Sequence, residues 1–553
     1  MIISSNILGT LSFWQTAAIL VAVCLAHRYI QARRKAARET PLAGPPSPSW
    51  LFSVRNLVSN NPEAPAIYER WSEEFGSVYR IPDPFGSTRV VLADPKAIAH
   101  FYSEETWTYV QTKIAKVAIE GLTTALSSRI DVHDSIMARL GRGLLWAEGE
   151  SHRRQRKAIS PAFSNVAIRR LTSIFYDSVY KLKSNWDSQL GSADSVMIDV
   201  QKCLDSVGIA GFSHDTGSLE CRPSVAAEVF DAMGRIKPGI VTAAALFFGT
   251  IFPFLWRLPT ETRRLQLKLN KAMEEIAVPL LENTRKEMKG LGEKGKEEKS
   301  IIGLLIKAED ANSSLQMSQE EIMAQMKVLI LNGYETTSIS LTWALIELSR
   351  KPEMQERLRE ELRAELPNSD PTWEQLTNGA GLHYLDAVVH EVLRLHAPLN
   401  ITTRVAAKDD VIPLSAPLRI PNGELVERVA VTAGQVVIVP ISSINTSVAY
   451  WGSDAHEFRP ERWLQKDGLP KKAQEVQGHR HLLTFVDGHR ACLGRSFALT
   501  EVKAVLGILI KNYRFELPDG PETEIEHCRG VLPRPRVIGQ KGANVPMRVR
   551  RID

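Results

Sequence analysis

Cys492 is the residue in this chain best placed to do chemistry. It lies in Phe485-Val486-Asp487-Gly488-His489-Arg490-Ala491-Cys492-Leu493-Gly494, ahead of a helical pattern running to Asn512. Gly488 and Gly494 allow tight turns and the close approach of a large flat group. The following helix offers its N-terminal amides and positive dipole end to the sulfur. Both effects favour a thiolate. A thiolate here suits haem iron as an axial ligand, its charge favouring cleavage of an O–O bond on the opposite face. A free cysteine is more often a small buried hydrophobe, but so many fixed residue types at fixed spacing rarely coincide by chance.

Three upstream stretches could serve such a centre. Ser318-x-x-Glu321 opens a long helix with a capping box, and inside it lies Asn332-Gly333-Tyr334-Glu335-Thr336-Thr337. Gly333 thins the helix, and a threonine hydroxyl competing for backbone carbonyls can open it locally. Glu335 and Thr336 then form an acid and alcohol pair suited to moving protons during O–O heterolysis. Glu391 and Arg394 are spaced to share a helix face. In Glu148 to Lys157, His152 and Arg156 also share one side, while Arg153, Arg154 and Lys157 point elsewhere.

Together with Pro460-Glu461-Arg462-Trp463, these stretches resemble, in order, the signature motifs of the cytochrome P-450 superfamily, and the resemblance extends from the N-terminal anchor to the last strands. It implies a mainly α fold with a small β-rich lobe, and haem b ligated by Cys492 within a loop shaped by Phe485, Gly488 and Gly494. It implies that the haem propionates meet Arg490, Arg156, Arg404 and His152, the last standing where the family has tryptophan. It assigns the proton relay to Glu335 and Thr336, with Asn332 departing from the family pattern. It makes Glu391, Arg394 and Arg462 a structural lock on the thiolate loop. The style of His152-Arg-Arg-Gln-Arg-Lys and Pro161-Ala-Phe163 is similar to fungal microsomal members.

The remaining chain must position these residues. Its 553 residues, 44% hydrophobic and 24% charged, are enough for a large core. The five cysteines show no paired spacing, so no disulfide framework is expected, and the net charge of +5 without a basic tract excludes a nucleic-acid binder. Residues 1–27 carry an apolar run from Ile7 to Ala26 followed by Arg28, Arg33, Arg34 and Lys35, which reads as a transmembrane signal anchor with the bulk in the cytosol. Residues 28–50 form a basic, proline-rich linker, and residues 51–553 the catalytic domain. Sequons at Asn312, Asn400 and Asn445 would then stay unglycosylated.

A hairpin is expected over Ser77–Ile81 and Ser87–Leu92. Helices are expected at Glu63–Phe75, Pro95–Phe101, Asn165–Leu190, Asp199–Phe212, Glu261–Lys289, Ser318–Arg350, Pro352–Leu366, Tyr384–His396 and Cys492–Asn512. The aromatic-rich stretch Leu246–Trp256 reads as an interfacial segment. With no dinucleotide fingerprint or flavin domain, the resemblance implies electrons from a membrane-bound NADPH-cytochrome P-450 reductase, with cytochrome b5 as a further donor, at the endoplasmic reticulum. The expected reaction is insertion of one atom of O2 into a hydrophobic terpenoid, aromatic or fatty acid. A hydroperoxide-rearranging haem-thiolate enzyme and a haem carrier without turnover are the alternatives.

Overall fold

The computed structural model describes residues 34–35, 37–49, 53–58, 61, 63–112, 115–116, 143–205, 232, 260–290, 301–307, 315–528 and 532–552. The expected N-terminal span and the Leu246–Trp256 segment lie outside them. Among the described residues no helix is long and apolar enough to cross a membrane.

The β-rich lobe is a five-stranded mixed sheet. Strands β1 (Val78–Pro82) and β2 (Thr88–Leu92) form the expected hairpin around a short 3-10 turn at Pro84–Gly86. Further strands are β3 (Tyr109–Gln111), β4 (Val196–Asp199), β5 (Thr402–Ala406), β6 (Asp410–Arg419), β7 (Leu425–Val431) and β8 (Val436–Val439). The lobe runs in the order β1-β2-β8-β5-β3, with β2 and β8 parallel. β6 and β7 form a separate hairpin, irregular between Pro413 and Leu418, where Pro413 and Pro417 can donate no ladder hydrogen bond. The C-terminal strands are β9 (Tyr513–Glu516), β10 (Ile525–Cys528), β11 (Arg534–Val537) and β12 (Pro546–Arg551). β10 pairs with β11, and β12 sits between β4 and β9.

The stretch at 40–44 of the proline-rich linker runs along the lobe. The Arg80 amide donates to the Ala43 carbonyl at 2.9 Å and Leu42 is buried. A side chain at Gly44 would collide with the Arg80 carbonyl.

Most described residues outside these sheets that are regular are helical. The helices that frame the site are α1 (Ala64–Phe75), α2 (Pro95–Ser103), α3 (Gly149–Ile159), α4 (Asn165–Leu190), α5 (Val200–Leu204), α6 (Glu261–Gly290), α7 (Ile301–Lys307), α8 (Gln319–Arg350), α9 (Pro352–Glu365), α10 (Trp373–Asn378), α11 (His383–Leu395), α12 (Ile441–Thr446) and α13 (Arg495–Asn512). α4 forms because Ile168, Leu171, Phe175, Val179, Leu182 and Trp186 recur at helical spacing and are all buried, while Ser164 caps its start. α8 begins with the anticipated capping box, both of whose hydrogen bonds are present. The larger core cluster joins α8, α11 and α13 to the β-lobe; a second lies among α3, α4, α6 and α8.

Several expectations need correction. The last helix starts at Arg495 rather than Cys492, because the ligand loop first turns through a 3-10 segment at Gly488–Arg490. The helix expected from Asp199 begins at Val200, since Asp199 ends strand β4, and it is described only to Leu204. Asn445 is buried in α12, so its sequon is sterically closed.

Candidate functional site

The cysteine loop is fixed by backbone geometry before any ligand is considered. Val486 and Gly488 both take positive φ, and a Cβ at Gly488 would lie 2.1 Å from the Tyr102 carbonyl oxygen, so only glycine fits against α2 there. The Cys492 amide donates to the Phe485 carbonyl at 2.9 Å, closing the loop. Phe485 packs against the main core and meets the His479 ring edge-on. At Gly494 a Cβ would meet, among the described residues, only Phe163, at 3.8 Å. Protein packing therefore does not demand this glycine, and its missing side chain leaves clearance for a large flat group.

The Cys492 residue is exposed among the described residues. Burial pushes the thiol pKa up, opposed by the Gly494 amide and by the charges of Arg156 and Arg495.

The four basic residues expected at the propionates converge on one place although they come from α3, β5 and the cysteine loop. Burial and the nearby charges of Arg490, Arg156, His489 and Arg404 push the His152 pKa down to about 3. His152 is therefore neutral and still has an N–H to donate. Arg156 donates to the Ala491 carbonyl at 2.8 Å. Arg404 faces Glu105 at 2.8 Å and Arg490 faces Glu148 at 2.6 Å. Arg404 is no exposed strand arginine: its side chain is mostly covered. The Nε–H groups of both Arg404 and Arg490 are buried with no acceptor among the described residues. Spare guanidinium donors and a surplus of positive charge suit a flat group carrying two carboxylates, so these residues fit haem.

Glu335 and Thr336 lie on α8. The Thr336 hydroxyl donates to the Asn332 carbonyl at 2.7 Å, the competition with the backbone that the sequence suggested, although α8 stays continuous. Glu335 is 1% exposed and ion-pairs with Arg534 of β11 at 3.3 Å. Arg534 also meets Asp205 at 2.9 Å, and Asp205 accepts from Ser338 at 2.7 Å. Burial raises the Glu335 pKa and the Arg534 charge lowers it. Sequence reasoning missed Arg534 and Asp205, which carry no motif.

The lock is more extensive than its motif. Glu391, fully buried, accepts from Arg394 Nε at 2.9 Å and Nη2 at 2.8 Å, from Arg462 Nε at 2.9 Å, from the Arg459 amide at 3.0 Å and from Trp463 Nε1 at 2.9 Å. Arg394 donates onward to the Asn445 carbonyl at 3.1 Å. Asn445 holds Thr484 and the Leu483 amide, immediately before Phe485. The chain of bonds from α11 to the cysteine loop therefore runs through Asn445, another residue the motifs did not flag. The basic face of α3 is only partly solvated, since Arg154 pairs with Glu321 of the capping box at 2.6 Å.

A cavity of about 410 Å³ shares α8 and β5 with this site, lined by Ile339, Trp343, His396, Leu399, Ile401 and Leu532 among others. Trp343 and His396 stack with ring centroids 3.8 Å apart. Mostly apolar walls with a few polar groups are the usual lining for a small organic ligand.

Residues 45–538 match the family model described as cytochrome P-450. The protein named cytochrome P-450 monooxygenase claQ, from Ampulloclitocybe clavipes, is 53% identical over 549 residues, 98% of each chain. Its namesake claP, from the same organism, is 53% identical over 97% of each. The ganoderic acid synthetase of Ganoderma lucidum is 30% identical over 87% of this chain and 88% of its own.

Proposed function

The chain belongs to the cytochrome P-450 family and is a monooxygenase, and on that premise we propose that it inserts one oxygen atom of O2 into a hydrophobic small molecule of secondary metabolism. Terpenoids, aromatics and fatty acids are the substrate classes, and the electrons come from an NADPH-dependent flavoprotein reductase with cytochrome b5 as a further donor. The observation that carries this reading is the convergence of Arg156, Arg404, Arg490 and His152 at the cysteine loop, with the Glu335–Thr336 pair on α8.

Haem, when bound, supplies oxygen activation and transfer. The chain's own residues do the rest. Cys492 presents the sulfur, and the guanidiniums fix the orientation of the flat group by meeting its carboxylates. Glu335, held by Arg534, keeps a proton-exchanging carboxyl beside Thr336, whose hydroxyl can accept and pass a proton. The cavity walls of Ile339, Leu399 and Leu532 favour an apolar substrate. The relative named ganoderic acid synthetase supports a natural-product substrate. We place the enzyme at the endoplasmic reticulum membrane, single-pass through Ile7 to Ala26, on the strength of that apolar run and the basic residues after it.

The test uses the full-length haem-loaded protein in membranes with a fungal reductase. Members of the three substrate classes are screened for a binding-induced change in the haem spectrum, and binders are incubated with NADPH and isotopically labelled O2. One labelled oxygen per product molecule, dependent on NADPH and reductase, is expected. Conversion of hydroperoxides without reductase would favour the rearranging enzyme, and binding without turnover of any binder would favour a carrier.

A further inference from the structure

The turn that leads into the cysteine loop is held against its own backbone preference. Arg480 and His481 are consecutive non-glycine residues at positive φ, 55° and 63°, a conformation that side chains disfavour. Gly478 just before them is also at positive φ, and a Cβ there would lie 2.4 Å from the Leu482 carbonyl oxygen. Backbone of this kind persists only where surrounding contacts over-determine it. Here they come from α11. Arg480 ion-pairs with Asp386 at 3.3 Å, and His479 meets His390, Nε2 to Nε2, at 3.4 Å. Lys503 of α13 holds the same Asp386 at 2.6 Å.

Hydrogen-bond geometry fixes the protons of the two rings. The buried His390 places Nδ1 2.7 Å from the Asp386 carbonyl oxygen, which can only accept, so Nδ1 carries the proton. Burial, with Lys503 and Arg480 against the opposing Asp386, brings the His390 pKa down to about 4. Burial, with His390, Arg495 and Arg480, brings that of His479 down to about 3. Both rings are therefore neutral, and the bare His390 Nε2 accepts from the His479 Nε2–H. The contact has one sense, from His479 through His390 to the α11 backbone.

Each ring also leans on the ligand apparatus. His390 packs at 5.4 Å between ring centroids on Trp463, which donates to Glu391. His479 meets Phe485 edge-on at 6.0 Å, and the Phe485 carbonyl accepts from the Cys492 amide. The Glu391 network reaches this stretch at its backbone, through Asn445 to the Leu483 amide. The histidine pair reaches it at the Phe485 ring. We propose that the His479–His390 hydrogen bond is a second, independent positioning device for the Cys492 ligand, fixing Phe485 and through its carbonyl the Cys492 amide. Both histidines act through Phe485 and are positioning residues. The inference goes beyond the monooxygenase reading: it needs haem at Cys492 and no particular substrate or electron donor. Partners around a metal ligand tune the metal as well as the fold.

A double-variant cycle on the full-length haem-loaded protein tests this. His390→Phe and His479→Phe keep a ring against Trp463 and Phe485 and remove the N–H···N bond. Each single variant strands a polar nitrogen, whereas the double variant pairs two apolar rings, so the unfolding midpoint should fall in the singles and recover in the double. The carbon monoxide band of thiolate-ligated ferrous haem should lose intensity several-fold in all three variants, and the haem reduction potential should shift the same way in each, with no recovery in the double. His479→Gln, which offers an N–H at similar reach, should restore both to near wild type. If the His390 variant does not hold haem, His479→Phe against His479→Gln decides alone. Thiolate band and potential that recover together with the midpoint would make the pair merely structural and overturn the proposal. Wild-type values of both in His479→Phe, or no rescue by glutamine, would overturn it as well. Absence of the thiolate band in the wild type would instead overturn the assignment of Cys492 as ligand, on which the inference rests.

Discussion

Replacing Arg534 by leucine probes a cation that joins the C-terminal strands to the acid of α8. In the wild type this buried guanidinium lies 3.3 Å from Glu335 and 2.9 Å from Asp205. At an effective dielectric near 20, a pair at that separation is worth about 5 kcal/mol of attraction. The full loss is not expected, because Glu335 can escape by taking up a proton. Moving a carboxyl with an ordinary pKa of 4.5 to the neutral form at pH 7 costs about 3.4 kcal/mol, so roughly 3 kcal/mol is the ceiling for the Glu335 part. Asp205 keeps its bonds to Ser338 and Gln201.

The sign of the pH dependence follows from the same shift. In Arg534→Leu the folded-state pKa of Glu335 rises further above its unfolded value. The stability it contributes is complete below the unfolded pKa and is lost as pH rises through the folded one. Wild type, whose Glu335 pKa is also raised, loses stability in parallel at first, so the variant should fall below it only as pH rises past the wild-type folded pKa, by at most about 1.4 kcal/mol per pH unit. Denaturant midpoints of the haem-loaded protein at pH 5, 6 and 7, followed by haem absorbance and backbone dichroism together, measure this. Adding Glu335→Gln should recover most of the stability, since the orphaned charge is gone. A pH-independent deficit, or no recovery in the double variant, would refute the pairing argument.

Glu391→Gln leaves two buried guanidiniums without their carboxylate and should cost about 3–5 kcal/mol, seen as protein recovered without haem or in aggregates; haem content near wild type would contradict the lock. Thr336→Ala should keep haem and substrate binding but release hydrogen peroxide at the expense of product; an unchanged product to NADPH ratio removes Thr336 from the relay. Because the Glu501 pKa is raised from 4.5 to about 8, wild type should lose about 5 kcal/mol between those pH values, an order-of-magnitude figure. Glu501→Gln should be flatter over that window and the more stable of the two at pH 9, which unfolding titrations at both ends decide.

Local patterns were legible in the sequence because they are enforced within a few residues. The Ser318–Glu321 capping box, the apolar spacing that makes Asn165–Leu190 a helix, and the turn between Ser77–Ile81 and Ser87–Leu92 all depend on neighbours in the chain. Strands β5 to β8 were not delimited, since short strands exist only through partners: β2 pairs with β8 across several hundred residues.

For the site, the sequence by itself determined which residues are present and at what spacing: Cys492 between its glycines, Glu335 beside Thr336, Glu391 one turn from Arg394. Only the tertiary structure decided their partners and protonation. Arg534 reaches Glu335 from 199 positions away, Trp463 and the Arg459 amide complete the bonding of Glu391, and Asn445 links that lock to the cysteine loop. Burial set the thiol of Cys492 and the carboxyl of Glu501 above their ordinary pKa values. Desolvation and pairing depend on everything packed around a group, and motif spacing constrains only neighbours along the chain.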